Sequence, residues 1–284
     1  MSAQLSAPAL AGRRYAVLGL ARSGLATLAF LARSGATAIA WDEREAARAV
    51  AQRLPGVTLA DLAQAPLAGL DGLVLSPGVP LNTHPLVPRA RAAGVPILGD
   101  IELFQVARAT LPPHRLVGIT GTNGKSTTTA LIHHLVTAAG LPALLGGNIG
   151  YPVLDAAPLP AGGVYVLELS SFQIDLSASV ACDMAVLTNI TPDHLDRYDS
   201  FAAYAAAKER LFTLQPDGAT AIVATDTPPA AAIAERIARA RRLRLATVSA
   251  ADIGPSDQAL WPALAGPHNA QNAACALAAA AALG

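Results

Sequence analysis

Residues 120–127, Thr-Gly-Thr-Asn-Gly-Lys-Ser-Thr, gather two glycines, a lysine and several hydroxyls into one short stretch. The apolar run 116–120 before it reads as a strand, and 126–139 after it as a helix closed by Gly140, which is the setting a phosphate-cradling loop requires. In such a loop, backbone amides and the helix N-terminus present partial positive charge, Lys125 reaches the β and γ phosphates, and the Ser126 hydroxyl can ligate magnesium. Gly121, Thr122, Asn123, Gly124 and Thr127 complete the candidate ATP-binding set. The stretch departs from the strict motif, because Ile119 stands where the first glycine belongs and the glycine falls at 121 instead. An ordinary strand-to-helix turn with a capping serine is the competing reading, and the Gly-Lys-Ser triplet in this setting weighs against it.

Two further strand ends carry groups that suit a metal and phosphate site. Glu168 closes an apolar run at the carboxyl edge, where open parallel sheets place their ligands, and its carboxylate can hold a magnesium ion. The segment 188–198, Thr-Asn-Ile-Thr-Pro-Asp-His-Leu-Asp-Arg-Tyr, is dense in polar groups, with His194 as a candidate ligand, although its acids and arginine also suit turns and caps. Phe201, Tyr204, Lys208 and Leu211 follow the spacing of one helix face, which puts Lys208 on an apolar side. Such a lysine either snorkels outward or, held neutral by burial near cations, adds carbon dioxide and becomes an anionic carbamate that binds magnesium.

Near the amino terminus, Gly19-Leu20-Ala21-Arg22-Ser23-Gly24 follows a strand and opens a helix, and Asp42 closes the next strand about 20 residues on, as in a dinucleotide fingerprint. The middle glycine of that fingerprint lets backbone approach a pyrophosphate, and here it is Ala21, which disfavours NAD. Ser76-Pro77-Gly78 after a later strand reads either as a further contact or as a plain turn.

The elements that must position these groups alternate short β-type runs with alanine-rich helical runs, so the fold class is α/β with parallel sheets. Strands are expected at 15–19, 37–42, 73–76 and 95–98, then at 116–120, 164–169, 185–189, 221–224 and 243–248, with a helix at 25–33. A length of 284 residues suits two domains, and Pro112 and Pro113 place the boundary so that a Rossmann-like domain spans 1–111 and an ATP-binding domain with a mainly parallel sheet spans 112–284. Equal counts of 20 basic and 20 acidic residues argue for no nucleic-acid partner. Two separated cysteines, Cys182 and Cys275, support neither a disulfide framework nor a thiolate zinc site. The start lacks the pattern of a signal peptide and the alanine-rich tail is too short to span a bilayer, so a cytoplasmic protein without membrane insertion is expected.

Taken together, the 120–127 loop, Gly-Gly-Asn-Ile-Gly at 146–150, Leu-Glu-Leu-Ser-Ser-Phe-Gln at 167–173, Asp-His-Leu-Asp-Arg-Tyr at 193–198 and Gly-Pro-His-Asn at 266–269 resemble the Mur ligases, and among them the D-glutamate-adding branch. The resemblance covers essentially the whole chain. It implies an ATP-dependent ligase of peptidoglycan precursor synthesis, which phosphorylates the carboxylate of UDP-N-acetylmuramoyl-L-alanine and lets the D-glutamate amine attack the acyl phosphate. By the same resemblance Lys125 and Ser126 would bind ATP and a first magnesium ion shared with Glu168, and His194 and carbamylated Lys208 would hold a second. Asn148 and Ser170 would contact the muramoyl substrate, His268 and Asn269 would lie near the adenine, and Arg22, Ser23, Asp42, Arg44, Ser76, Pro77 and Gly78 would hold the UDP part.

The family's carboxyl-terminal, amino-acid-binding domain would follow the helix after His268 and Asn269 and is expected to be absent, leaving a chain that binds substrates but is incomplete for ligation. Rival readings are another Mur or folylpolyglutamate-type ligase, a non-catalytic nucleotide-binding module, and a nicotinamide oxidoreductase built on the first fingerprint.

Overall fold

The computed structural model describes residues 4–194 and 196–284; Leu195, part of the 193–198 motif, lies outside the described residues. The chain forms two compact units, and the first division falls between Leu111 and Pro112. They are not two uninterrupted stretches, because Tyr151–Pro158 and Asp175–Ser179 pack with the first unit although the segments around them belong to the second.

The first unit runs β1 (Arg14–Leu18), α1 (Arg22–Arg33), β2 (Thr37–Trp41), α2 (Glu45–Ala51), β3 (Val57–Leu59), β4 (Gly72–Leu75), α3 (Leu86–Ala92), β5 (Ile97–Leu98) and α4 (Asp100–Arg108). Its five strands lie in the order β3-β2-β1-β4-β5 and every pairing is parallel, so strand order reverses between β1 and β4. Such a reversal opens a crevice beyond the carboxyl ends of the strands, and the 19–24 and 76–78 turns leave from those two ends. Ala16, Leu73, Leu75, Leu86 and Val87 form the core on one side, each removed from water. Helix α1 begins at Arg22, three residues before the expected start, so the fingerprint's second half is already helical.

The second unit runs β6 (His114–Thr120), α5 (Lys125–Ala138), β7 (Ala143–Gly147), β8 (Gly163–Glu168), α6 (Ser171–Asp175), β9 (Met184–Leu187), α7 (Phe201–Thr213), β10 (Thr220–Ala224), α8 (Pro228–Ala240), β11 (Arg244–Val248), α9 (Pro255–Ala259) and α10 (Pro267–Leu283). Its sheet has the order β11-β10-β9-β6-β8-β7 and is parallel throughout. Strands β6, β8 and β9 are buried at nearly every position, which is why their sequences are continuous apolar runs rather than alternating ones. Val117, Ile119, Ile132, Val166, Val186 and Ile222 join α5 and α10 to this sheet. Each fully buried aliphatic side chain of this kind stabilises by about 1.5–3 kcal/mol. Among the described residues no helix is long and apolar enough to cross a membrane.

Candidate functional site

In the second unit the order β9-β6-β8 puts three strand ends side by side, and each delivers a candidate group: the glycine loop from β6, Glu168 from β8 and the 188–194 segment from β9. The loop passes into α5 through Gly124, whose φ of +81° is left-handed and whose hypothetical Cβ would stand 2.2 Å from Asn272 Oδ1. Only glycine fits there without displacing the buried Asn272 amide. No side chain caps the start of α5. Its first amides therefore have no intrahelical carbonyl and are available to an anion at the positive end of a 14-residue helix.

Lys125 folds back so that its Nζ donates to the Thr122 carbonyl at 2.8 Å. Burial pushes its pKa below the ordinary lysine value, against the opposing pull of the Glu168 and Asp193 carboxylates. A desolvated cation beside an uncapped helix start attracts phosphate more strongly than a surface lysine does. Ser126 Oγ donates to one Glu168 carboxylate oxygen at 2.6 Å and Asn148 Nδ2 to the other at 2.8 Å. Glu168 itself is 2% exposed. A hydroxyl and a carboxylate held this close are hard oxygen donors of the kind magnesium takes, so the first expected metal position fits the residues present.

Among the described residues no group of three or more His, Cys, Asp or Glu side chains is gathered as a metal cluster. His194 is half-exposed with φ +51°, and its Nε2 stands 3.6 Å from an Asp193 oxygen. Its ring lies 5.3 Å from Phe172 and 6.4 Å from Tyr204, centroid to centroid. Lys208, 2% exposed, donates from Nζ to the Gly121 carbonyl at 2.8 Å and sits 4.5 Å from the centroid of the same Tyr204 ring. It thus points inward to the glycine loop rather than snorkelling. Tyr204 also ties the loop directly, with its hydroxyl 3.1 Å from Thr122 Oγ1, and burial raises its pKa first of all.

A cavity of about 530 Å³ opens beside the loop, lined by Asn123, Asn189, Asp226, Thr227, His268 and Gln271 among others. His268, exposed in the first turn of α10, faces it, whereas Asn269 turns to the Ala265 carbonyl at 3.1 Å and to Asn272. Ser170 is bound to Gln173 on either side of the α6 start.

In the first unit, the Gly24 Cα approaches the preceding turn so closely that a Cβ would stand 1.9 Å from the Gly19 carbonyl oxygen. The Ser76 hydroxyl donates to that same carbonyl at 2.7 Å, fastening the β4 turn to the β1 turn. Asp42 accepts from Leu20 N at 2.6 Å and from the Arg44 backbone, Nε and Nη2 at 2.9–3.0 Å. The Arg44 bonds hold its carboxyl well below the usual carboxylate range. Arg22 and Gly78 are exposed and Ser23 and Pro77 half-buried around this turn cluster.

The sequence profile described as Mur ligase middle domain matches residues 119–280, more than half of the chain. The chain belongs to the Mur ligase family. A second profile, Mur ligase MurD-like N-terminal domain, matches residues 13–99. The chain is 61% identical over 280 residues to the UDP-N-acetylmuramoylalanine–D-glutamate ligase of Sphingopyxis alaskensis, covering 99% of this chain and 63% of that protein. It is 52% identical to the protein of the same name from Zymomonas mobilis, covering 99% of this chain and 65% of the relative. The chain therefore spans somewhat under two thirds of the length of these curated relatives.

Among solved structures, the UDP-N-acetylmuramate:L-alanyl-gamma-D-glutamyl-meso-diaminopimelate ligase of Neisseria meningitides aligns with TM-score 0.58 at 16% identity, over 96% of this chain and 94% of that one. A murein peptide ligase from Psychrobacter arcticus gives 0.56 at 17% identity, over 96% and 66%. At these identities the likeness is one of fold, and it is the Mur ligase fold.

Sequence reasoning missed the Mur ligase groups that hold the loop rather than form it. Asn189 and Thr188 bond into the loop, Gln271 donates to the Thr188 carbonyl at the strand end behind it, and Asn272 accepts from Thr128 in the first turns of α5. The available signal for the last two was a pair of amides one turn after His268 on a helix otherwise built of alanine.

Proposed function

We propose that the chain carries the UDP-substrate unit and the ATP unit of a ligase that adds D-glutamate to UDP-N-acetylmuramoyl-L-alanine in peptidoglycan precursor synthesis, in the cytoplasm. The observation that carries the reading is the convergence of the uncapped α5 start, Lys125 and the Ser126–Glu168 pair on one sheet edge, in a chain 52–61% identical to ligases of that name. The first unit would hold the UDP part at the turn cluster around Arg22, Ser23, Asp42, Arg44, Ser76, Pro77 and Gly78. Asp42 already accepts from Leu20 N and Arg44, so its role there is to aim the Arg44 guanidinium rather than to read a ribose hydroxyl itself.

In the second unit, the Gly121–Thr127 amides and Lys125 would hold the ATP phosphates and offset the charge that spreads over the transferring phosphoryl group. Ser126 and Glu168 would hold magnesium, which when bound supplies further charge neutralisation at the phosphates. Asn148, bonded to Glu168, and Ser170 would orient the muramoyl carboxylate toward the γ phosphate, and His268 and Asn269 would bound the adenine. Transfer of the phosphoryl group to that carboxylate gives an acyl phosphate and ADP; attack by the D-glutamate amine then forms the amide and releases phosphate.

His194 and Lys208 are the proposed holders of a second magnesium ion, with Lys208 as its carbamate. That modification forms a bond from the neutral Nζ to the carbon of carbon dioxide and releases a proton to water. The Gly121 carbonyl and the Tyr204 ring are contacts of an ammonium, so carbamylation requires Lys208 to give up the charge that both attract.

Thermal shift tests the substrate assignment. UDP-N-acetylmuramoyl-L-alanine at about 100 times its dissociation constant should stabilise the fold by roughly 2.7 kcal/mol. A shift with NADH and none with the UDP-sugar would overturn it in favour of a nicotinamide enzyme.

A further inference from the structure

The geometry points to Asn189 as a positioning residue that sets the phosphate loop, an inference that rests on the ATP-binding reading above. Asn189 lies two residues beyond β9 and is 8% exposed. Its side-chain amide pairs with both backbone polar groups of Asn123: Asn123 N donates to Oδ1 at 2.9 Å, and Nδ2 donates to the Asn123 carbonyl at 3.0 Å. Its own carbonyl accepts from Thr122 N at 2.9 Å. One residue thus binds the backbone of two successive loop residues, Thr122 and Asn123, as a neighbouring strand would, at the point where the chain must turn into α5.

The side chain of Asn123 is exposed and adds only a 3.5 Å contact to Thr191 Oγ1, so the loop is held here through its backbone. Thr188 reinforces the grip by donating to the same Asn123 carbonyl at 2.7 Å. With Asn123 N–H and C=O tied back toward β9, the amides that follow, at the uncapped start of α5, are left to face the ligand. A primary amide is the side chain suited to this, because it offers one acceptor and a donor in a plane that matches a peptide edge. Aspartate has the same shape but no donor, and it would set a negative charge beside the site proposed for phosphates.

The test measures binding of three probes, Mg-ATP, Mg-tripolyphosphate and adenosine, by calorimetry to the wild-type chain, Asn189→Ala and Asn189→Asp, with melting curves to establish folding. Asn189→Ala removes the acceptor for Asn123 N–H and one of the two donors to the Asn123 carbonyl, and Asn189→Asp removes that donor and adds a negative charge. Both phosphate-bearing probes should weaken by about 10- to 100-fold, with the larger loss in Asn189→Asp, and adenosine should stay within about threefold. A residue that merely holds the cavity together would lower all three probes in parallel, and that result overturns the proposal, as does unchanged phosphate binding in both variants. If Asn189→Ala fails to fold, the isosteric Asn189→Asp carries the comparison: it keeps an acceptor for Asn123 N–H and loses the donor to the Asn123 carbonyl, so weakened phosphate probes with adenosine retained support the proposal and a parallel loss of all three probes overturns it. Wild-type protein that binds adenosine but neither phosphate probe would instead refute the phosphate-loop reading itself.

Discussion

Gly124→Ala is the sharpest perturbation of the site that the geometry offers, because Gly140 at the other end of the same helix supplies its control. Both glycines have φ +81°, so alanine at either bears the same left-handed backbone cost of about 1–2 kcal/mol. Around Gly140 nothing lies within 4 Å of the added Cβ, whereas at Gly124 the Cβ meets Asn272 Oδ1 at 2.2 Å and Cγ at 3.0 Å. Asn272 is 4% exposed, and its Oδ1 accepts from Thr128 Oγ1 at 3.3 Å, so it can give way only by breaking a buried bond. Overpacking of that kind adds about 1–3 kcal/mol. Gly124→Ala should therefore destabilise by about 2–5 kcal/mol and Gly140→Ala by about 1–2. In a scanning-calorimetry experiment these correspond to melting points lower by about 4–20 °C and about 2–8 °C. Mg-ATP affinity should fall in the first variant and hold in the second. Equal destabilisation by the two substitutions, with ATP binding intact in both, would refute the claim that Asn272 closes against the loop.

Other outcomes follow from single groups. The Asp42 pKa is depressed in the folded state, so its stabilising contribution is present above the unfolded carboxylate value of about 3.9 and is lost as pH falls below it; Asn in place of Asp42 should remove that part of the acid sensitivity in melting curves taken from pH 6 to 3, and an unchanged profile would count against the Arg44 pairing. The Lys125 pKa is depressed by burial, so its ammonium is lost below the usual lysine range; ATP affinity should decline with rising pH in wild type and stay flat in Lys125→Met, as read by titration calorimetry. Ser126→Ala should raise the magnesium concentration needed for half-maximal ATP binding by about tenfold, and an unaltered requirement would separate Ser126 from the metal. With carbon-13 bicarbonate, a carbamate NMR signal should appear in wild type and vanish in Lys208→Arg; a signal that survives the substitution would put the modification on another residue.

The glycine loop was legible because its chemistry and setting are local: a strand, a Gly-Lys-Ser triplet and a helix adjoin in sequence. The spacing of Tyr204, Lys208 and Leu211 put Lys208 on an apolar helix face but left snorkelling and burial both open, because its partner, the Gly121 carbonyl, is 87 residues away and left no local trace. Strand β7 was missed because Ala-Leu-Leu-Gly-Gly is poor in β-branched residues and glycine is depleted in strands; it forms at the edge through its pairing with β8. Strand β3, three residues long, is too short to show a period. The return of Tyr151–Pro158 and Asp175–Ser179 to the first unit rests on bonds such as Gly99 N to the Leu176 carbonyl at 3.0 Å and Ala178 N to Glu102 at 2.8 Å. Such long-range pairings are set by the assembled sheets, and nothing in those segments' own residues announces them.

The central claim is that the 121–127 loop, not the 19–24 turn, receives the phosphates of ATP. Amide hydrogen exchange with and without Mg-ATP reads both loops in one experiment. The account predicts slowed exchange at Gly124, Lys125, Ser126 and Thr127, lost in Lys125→Met, with residues 19–24 unchanged. Protection confined to residues 19–24, or protection of 124–127 that persists without Lys125, would contradict it.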